Sequence, residues 1–224
     1  MATSSQLSQF VGEPLSDLTQ YRSIVGALQY VTLTRPDVAF VVNKVYQFLQ
    51  VPTDEHWGVV KRIQRYLKGT IDSGLFFSTQ SSDTLTTYSD ADWAGCPDNR
   101  HSTGGYGIFL GSHLISWSAK KQPTIARSSM KAEFRALAYA TIELLWLNSL
   151  LSDLGVKLKS PPVLYCDSIG ARYLAAHPIF WACTKHIEVD FHFLRDLIVK
   201  KCLIVRFLPT QDQLADIFTK PLLS

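Results

Sequence analysis

The hydrophobic pattern of this 224-residue chain changes its period near Asp83, and that change limits the folds open to the chain. Before this point apolar residues recur at helical spacing, and beyond it short segments take on strand character. Five strands are predicted, over residues 84–89, 104–110, 113–117, 163–166 and 203–208. The first three are joined by turns, and helical patterns separate the rest. This order predicts an α/β fold, a five-stranded mixed sheet flanked by helices.

The part before Asp83 carries three helical patterns. The first starts at Tyr21, the second has Pro36 in its first turn, and the third runs from Thr53 to Gly69 with acidic residues at its start. The polar residues 1–20 are predicted to be disordered. We therefore divide the chain into a disordered segment 1–20, a small helical segment 21–83 and an α/β domain 84–224.

The later helical patterns complete the prediction. A long helix is expected from about Ser129 to Leu151, and shorter helices over 168–176 and 185–201. The chain closes with a short helix, for which Thr210-Gln211-Asp212-Gln213 supplies the pattern of a capping box.

Composition favours a soluble intracellular protein. The four cysteines occur singly, so disulfides are not expected and a reducing compartment fits. No apolar run approaches 18 residues and no signal-peptide pattern is present, so we expect no membrane span, no secretion, and a cytoplasmic or nuclear location. Cys183 and His186 have a C-x-x-H spacing, but one such pair cannot close a zinc site.

Positive charge is concentrated after Asp83. Residues 1–83 balance seven basic against seven acidic residues, whereas residues 84–224 hold fifteen against twelve. This excess suits a polyanionic partner. The third helix also carries a basic stripe, which is either a contact for nucleic-acid phosphates or a solvated face whose cations suit the helix C-terminus. The stripe consists of Lys61, Arg62, Arg65 and Lys68.

Four acidic residues in separate local settings are the strongest functional signal. They are Asp90, Glu133, Asp167 and Asp216. Carboxylates converging from distant segments suggest a Mg²⁺ site, because Mg²⁺ takes hard oxygen ligands. Each acid also has a structural alternative: Asp167 can cap a helix and Asp90 can begin a turn. Glu133 and Asp216 can be solvated helix positions. Asp92 is interpreted as a surface or turn residue.

Six stretches of the sequence are specific enough to indicate a family. They are Tyr-Arg-Ser-Ile-Val-Gly-Ala-Leu-Gln-Tyr (21–30), Arg-Tyr-Leu-Lys-Gly-Thr (65–70), Tyr-Ser-Asp-Ala-Asp-Trp-Ala-Gly-Cys (88–96), Ile-Ser-Trp-Ser-Ala-Lys-Lys-Gln-Pro-Thr (115–124), Thr-Lys-His-Ile (184–187) and Gln-Leu-Ala-Asp-Ile-Phe-Thr-Lys (213–220). Together they resemble the ribonuclease H domain of copia-type LTR retrotransposons, preceded by the end of the reverse transcriptase and its connection region. The family's polymerase motif Tyr-x-Asp-Asp is absent. The chain thus resembles the C-terminal fragment of a Pol polyprotein that starts at its own methionine.

The resemblance implies a ribonuclease H-like fold and metal-dependent hydrolysis of the RNA strand of RNA–DNA hybrids. It implies that the four acids hold two Mg²⁺ ions, for which Mn²⁺ can substitute, with Asp90 bridging them. The expected partners are the hybrid and the element's reverse transcriptase. The cations Lys120, Lys121 and Arg127 are the candidate phosphate contacts. His186 either contacts substrate or caps and packs the start of its helix.

The chain departs from the family pattern at several positions. Lys131 replaces an acid near the N-terminus of the long helix, at a cost of roughly 0.5–1.5 kcal/mol. Trp181 and Cys183 stand where the family tends to have His and Arg, and no histidine occurs between Pro209 and Asp216. Two alternatives follow. One is a catalytically impaired remnant that binds nucleic acid, and the other, less consistent with a fourth acid, is an integrase-like DNA-cutting enzyme.

Overall fold

The computed structural model describes residues 7–79, 82–168 and 188–221, with the backbone alone for 188–191. One five-stranded sheet organises the second part of the chain. Its strands are β1 (Leu85–Asp92), β2 (Thr103–Leu110), β3 (His113–Lys121), β4 (Val163–Cys166) and β5 (Ile204–Phe207). Their order across the sheet is β3-β2-β1-β4-β5.

The sheet is mixed, as the sequence predicts. Strand β2 pairs antiparallel with both β1 and β3, whereas β4 lies parallel to β1 and β5 parallel to β4. All five strands are confirmed. Strand β1 extends to Asp92 instead of ending at Ser89, so Asp90 lies within the strand and does not begin a turn.

One face of the sheet packs against a long helix, α4 (Ser129–Asp153), and against α5 (Glu188–Val199). Ser128 caps α4, since its hydroxyl accepts a hydrogen bond from the Lys131 backbone N–H at 3.3 Å. The core of this face joins apolar side chains of the sheet to one stripe of α4, which fixes the helix over β1. It includes Leu85, Ile108, Phe134, Leu137, Leu144, Leu164 and Leu194.

The residues before the sheet form three helices, as predicted. They are α1 (Leu18–Val31), α2 (Ala39–Tyr46, preceded by a 3-10 turn, Pro36–Val38) and α3 (Asp54–Gly69). Helix α1 begins earlier than the predicted Tyr21 because the Asp17 carboxylate accepts backbone N–H bonds from Thr19 and Gln20. The side chains of the three helices form a hydrophobic core of their own, centred on Tyr21, Val25, Val42, Val60 and Ile63.

The helical segment also packs against the other face of the sheet. Phe40 of α2 joins a buried cluster with Ala119 of β3 and with Phe218 near the C-terminus. In addition, the Trp117 indole N–H donates to the Thr32 carbonyl at 2.9 Å. The two predicted parts of the chain therefore share a core where they meet.

The C-terminal segment differs from the sequence prediction. It forms two 3-10 turns, Thr210–Asp212 and Leu214–Phe218, and the Gln213 side chain caps the second by accepting from Ala215 N–H. The capping box predicted at Thr210 is wrong, because the Thr210 hydroxyl instead donates to the Asp167 carboxylate at 3.2 Å.

Part of the prediction lies outside the described residues. This applies to most of the helix predicted over 168–176, to the start of the one over 185–201, and to Trp181, Cys183 and His186. Among the described helices, none has both the length and the apolar character needed to cross a membrane.

Candidate active site

Three acids meet where β1 and β4 approach the start of α4. Asp90 lies in β1, Asp167 follows the carboxyl end of β4, and Glu133 is in the second turn of α4. One carboxylate oxygen of each residue lies within 4.8 Å of one from each of the others. The fold thus assembles three of the four acids singled out in the sequence into one cluster. Three carboxylates this close repel one another unless protons or a cation are present.

Glu133 is the most strongly perturbed member of the cluster. Its side chain is buried, with 9% of the residue exposed, and one carboxylate oxygen, Oε1, accepts from the Ala91 backbone N–H at 3.2 Å. Burial, reinforced by the charges of Asp90 and Asp167, raises the pKa of Glu133 to about 9. It is not a solvated helix position, so that structural alternative is excluded.

Asp90 is only 3% exposed, and its carboxylate accepts a short hydrogen bond from the Thr219 hydroxyl. Burial raises the pKa of Asp90 to about 6, although the Thr219 hydroxyl and the charge of Lys220 act in the opposite direction. Two neighbouring acids with raised pKa values in one recess are typical of functional sites.

Asp216 lies on the second C-terminal 3-10 turn, beside the three-acid cluster. Its Oδ2 forms an ion pair of 2.8 Å with the Lys220 ammonium, and its negative charge contributes to the raised pKa of Asp90. Burial opposes the charged form of Lys220, but the hydrogen bond to Asp216 and the charge of Asp90 hold its pKa above the usual value. The structure therefore places all four predicted acids near one another.

Two carboxylate oxygens at this site suit a cation. Glu133 Oε2 and Asp216 Oδ1 are both buried, and neither has a hydrogen-bond partner among the described residues. A buried acceptor without a partner is costly, and carboxylate oxygens are the ligands that hard divalent cations take. The three clustered carboxylates, with Asp216 beside them, are compatible with a divalent metal.

The cations predicted to contact phosphates differ in their exposure to solvent. Lys120, at the end of β3, and Arg127, just before the cap of α4, are exposed. Lys121 is half-buried and donates to the Cys96 thiol sulfur at 3.2 Å. His186 is not among the described residues.

Sequence reasoning missed the residues that tie the C-terminal segment to the acids. These are Thr210, which binds Asp167, Thr219, which binds Asp90, and Lys220, which pairs with Asp216. The last two belong to the quoted stretch 213–220, so a signal was present. Lys220 pairs within that stretch, whereas the partner of Thr219, Asp90, is 129 positions away.

A sheet of this order, with carboxylates at the carboxyl ends of β1 and β4 and at the start of α4, defines a ribonuclease H-like domain. Among solved structures, a foamy viral protease-reverse transcriptase in complex with double-stranded DNA is similar at a TM-score of 0.51. That match has 14% identity and covers 90% of this chain and 40% of that one. The LC11 ribonuclease H1 in complex with an RNA/DNA hybrid is similar at a TM-score of 0.45 and 13% identity, covering 59% of this chain and 91% of that one.

The relatives by sequence are transposon proteins. A retrovirus-related Pol polyprotein from transposon RE2 of Arabidopsis thaliana is 50% identical over 222 residues, which is 99% of this chain and 15% of that protein. The corresponding protein of transposon TNT 1-94 from Nicotiana tabacum is 41% identical over 201 residues, covering 89% of this chain and 15% of that one. No family model matches.

This chain belongs to the retrovirus-related Pol polyproteins of transposons, and it spans about 15% of the length of these relatives. The likeness covers both the helical segment and the sheet domain. The predicted relationship to a retrotransposon Pol polyprotein and the predicted fold are therefore confirmed.

Proposed function

We propose that this chain hydrolyses the RNA strand of RNA–DNA hybrids, as the ribonuclease H part of a copia-type retrotransposon Pol protein. The observation that carries the proposal is the convergence of Asp90, Glu133 and Asp167 within 4.8 Å, beside Asp216. Two carboxylate oxygens at these positions, Glu133 Oε2 and Asp216 Oδ1, are buried without a hydrogen-bond partner in the described part of the chain, and such oxygens are suitable metal ligands.

The residues that would hold the metal are the four acids, with two Mg²⁺ ions as the expected complement and Mn²⁺ as a substitute. Bound divalent cations would polarise the scissile phosphate and lower the pKa of the attacking water. Glu133, whose pKa is raised to about 9, must lose its proton before it can act as a ligand. Lys220 holds Asp216 in place and supplies positive charge beside the cluster.

The nucleic-acid partner is supported by charge and by exposed cations. Lys120 and Arg127 project from the ends of β3 and of the loop that enters α4, the helix that bears Glu133. These cations suit phosphate contacts, whereas selection of the RNA strand requires recognition of the 2′-hydroxyl or of the hybrid's shape. A foamy viral enzyme of similar fold binds double-stranded DNA, which is consistent with a duplex partner.

The decisive test is cleavage of a hybrid labelled on each strand in turn, by the purified chain, with Mg²⁺ or with chelator. We expect cutting of the RNA strand alone, dependent on Mg²⁺, and its loss by at least about a thousandfold in Asp90→Asn, which removes a charged ligand. Asp72→Asn, at an exposed acid in the loop after α3, is the matched control and should cut normally.

Three other outcomes would each contradict the proposed function in a different way. Binding of the hybrid without cleavage would instead identify a binding remnant of the element. Cutting of double-stranded DNA in preference to the hybrid would point to an integrase-like activity. Cleavage that persists in Asp90→Asn would show that the acid cluster is not the active site.

A further inference from the structure

A second recess lies beside the acid cluster, between the helical segment and the sheet. It is a cavity of about 280 Å³ bounded by α2 on one side and by the residues after Asp216 on the other. Its charged lining residues are Lys44 of α2, Asp92 at the end of β1, and Lys220. Because Thr219 lines this cavity and also binds Asp90, the recess and the acid cluster share a wall.

Lys44 contributes a half-buried ammonium to the lining of this cavity. Its ammonium lies 5.3 Å from the centre of the Phe40 ring, and it makes no ion pair or hydrogen bond with the described residues. Burial lowers the pKa of Lys44, and although the charge of Asp92 opposes that shift, the nearby charge of Lys121 adds to it. A half-buried ammonium without a direct partner is costly, so an anion in the cavity would stabilise it.

The charges around the cavity favour an anion. Asp92 of β1 and Lys121 of β3 each pair with Thr103 of β2, so these residues lie in one row across the sheet. Asp90 is two positions before Asp92 in β1 and therefore lies on the same face. Lys220 is already paired with Asp216. The charged residues that line the cavity are therefore two cations, Lys44 and Lys220, and one acid, Asp92.

We propose that this cavity binds a backbone phosphate of the nucleic-acid substrate, with the Lys44 ammonium as the donor. The inference rests on the proposed function. When the scissile phosphate of a strand lies at the four acids, the neighbouring phosphates of that strand would lie along the wall that the cavity shares with the acid cluster. A phosphate suits the site because Lys44 offers a half-buried ammonium that has no ion pair with the described residues, in a cavity that shares a wall with the acid cluster. The helical segment thereby contributes directly to substrate binding.

The first test measures binding of a labelled RNA–DNA hybrid in chelator, where metal-dependent cleavage does not occur, over a range of salt concentrations. Loss of one phosphate contact in Lys44→Met should weaken binding by about tenfold at low salt and reduce the slope of log affinity against log salt by about one unit. Lys200→Met is the matched control. It removes an exposed lysine at the opposite edge of the sheet, before β5, and should leave the slope unchanged.

A second measurement on the unmodified chain does not depend on the stability of a variant. Lysines are acetylated briefly with and without saturating hybrid, and modification is read by mass spectrometry. Lys44 should be protected by about fivefold or more, and Lys200 should not. Equal modification of Lys44 in both states, or an unchanged salt slope in folded Lys44→Met, would overturn the phosphate site while leaving the nuclease proposal intact. If the unmodified chain binds no hybrid, both proposals fail.

Discussion

At the scale of single residues, two carboxylate oxygens of the site are buried in a way that is unfavourable for charged groups. Glu133 Oε2 and Asp216 Oδ1 are enclosed without a hydrogen-bond partner among the described residues. In the absence of a cation, the cluster reduces its charge by retaining protons, as the raised pKa values of Asp90 and Glu133 show. Metal binding and proton release are therefore coupled at this site.

This coupling predicts a measurable release of protons. The pKa of Glu133 is raised from 4.5 to about 9 in the folded chain, so the residue is protonated at pH 7 and Mg²⁺ must displace that proton. We expect about one proton per chain to be released at pH 7, measured by calorimetry in two buffers of different ionisation enthalpy. Glu133→Gln should release less, whereas Glu55→Gln, at an exposed position of α3, should behave like the parent chain.

The same shift fixes the sign of the pH dependence of stability without metal. Between pH 4.5 and about 9 the folded chain holds a proton on Glu133 that the unfolded chain has lost. The free energy of unfolding therefore falls as pH rises through that window, and the fall is smaller in Glu133→Gln. Equal slopes for the two proteins in chelator would contradict the burial of Glu133 as the cause.

At the scale of secondary-structure elements, the second C-terminal 3-10 turn is the least expected part of the site. This turn, Leu214–Phe218, rests on β2 at Gly105, where a β-carbon would lie 2.6 Å from Phe218 Cβ and 2.9 Å from Thr219 Cγ2. The absence of a side chain at Gly105 is what lets the turn approach the sheet closely enough for Thr219 to reach Asp90.

Gly105→Ala should accordingly lift this turn away from the sheet. We expect a loss of stability of about 1–3 kcal/mol from overpacking, together with a marked loss of cleavage, because Asp216 and Thr219 move with the turn. Urea unfolding and the hybrid assay measure the two effects. The matched control is Gly104→Ala, where the added carbon lies 3.5 Å from Ala136 Cβ and Gln122 Nε2 and is tolerated. Similar behaviour of the two variants would show that the close approach is unimportant.

The elements also show which features a sequence can reveal. The strands and α3 were predictable because alternation, turn residues and caps are local signals. The role of Thr210 was not, since its hydroxyl binds Asp167, 43 positions earlier, instead of capping its own helix. Motif order pointed to the four acids. It did not point to Thr219, whose contact with Asp90 is set by packing between distant segments, or to Lys44, whose cavity forms where such segments meet.

At the scale of the whole molecule, the helical segment and the sheet domain are joined through Phe40. Its ring is buried against the second C-terminal 3-10 turn and β3, although α1, α2 and α3 also have a core of their own. The predicted boundary at residue 83 therefore separates two patterns in the sequence, while the contacts across it support the turn that bears Asp216. The division of the chain into a helical segment and an α/β domain stays a prediction.

Removal of the helical segment should consequently destabilise the rest of the chain. We expect residues 84–224 alone to lose at least about 3 kcal/mol of unfolding free energy, the typical cost of emptying a buried Phe site. Urea titration of the fragment and the whole chain measures the difference. In the whole chain, Phe40→Ala should reproduce much of the loss, whereas Phe76→Ala, at a side chain 85% exposed, should change little. A fragment as stable as the whole chain would contradict the shared core.

The attachment of the second C-terminal 3-10 turn to β1 determines when the site can form during synthesis of the chain. Asp90 and Thr219 are 129 positions apart in the chain, and their hydrogen bond forms only after the segment bearing Asp216 has been synthesised and docked. At typical synthesis rates of roughly 5–20 residues per second, this interval lasts many seconds. Under the proposed function, a nascent chain thus carries an incomplete set of acids until this turn has been synthesised, and nuclease activity begins only when the turn docks on β1.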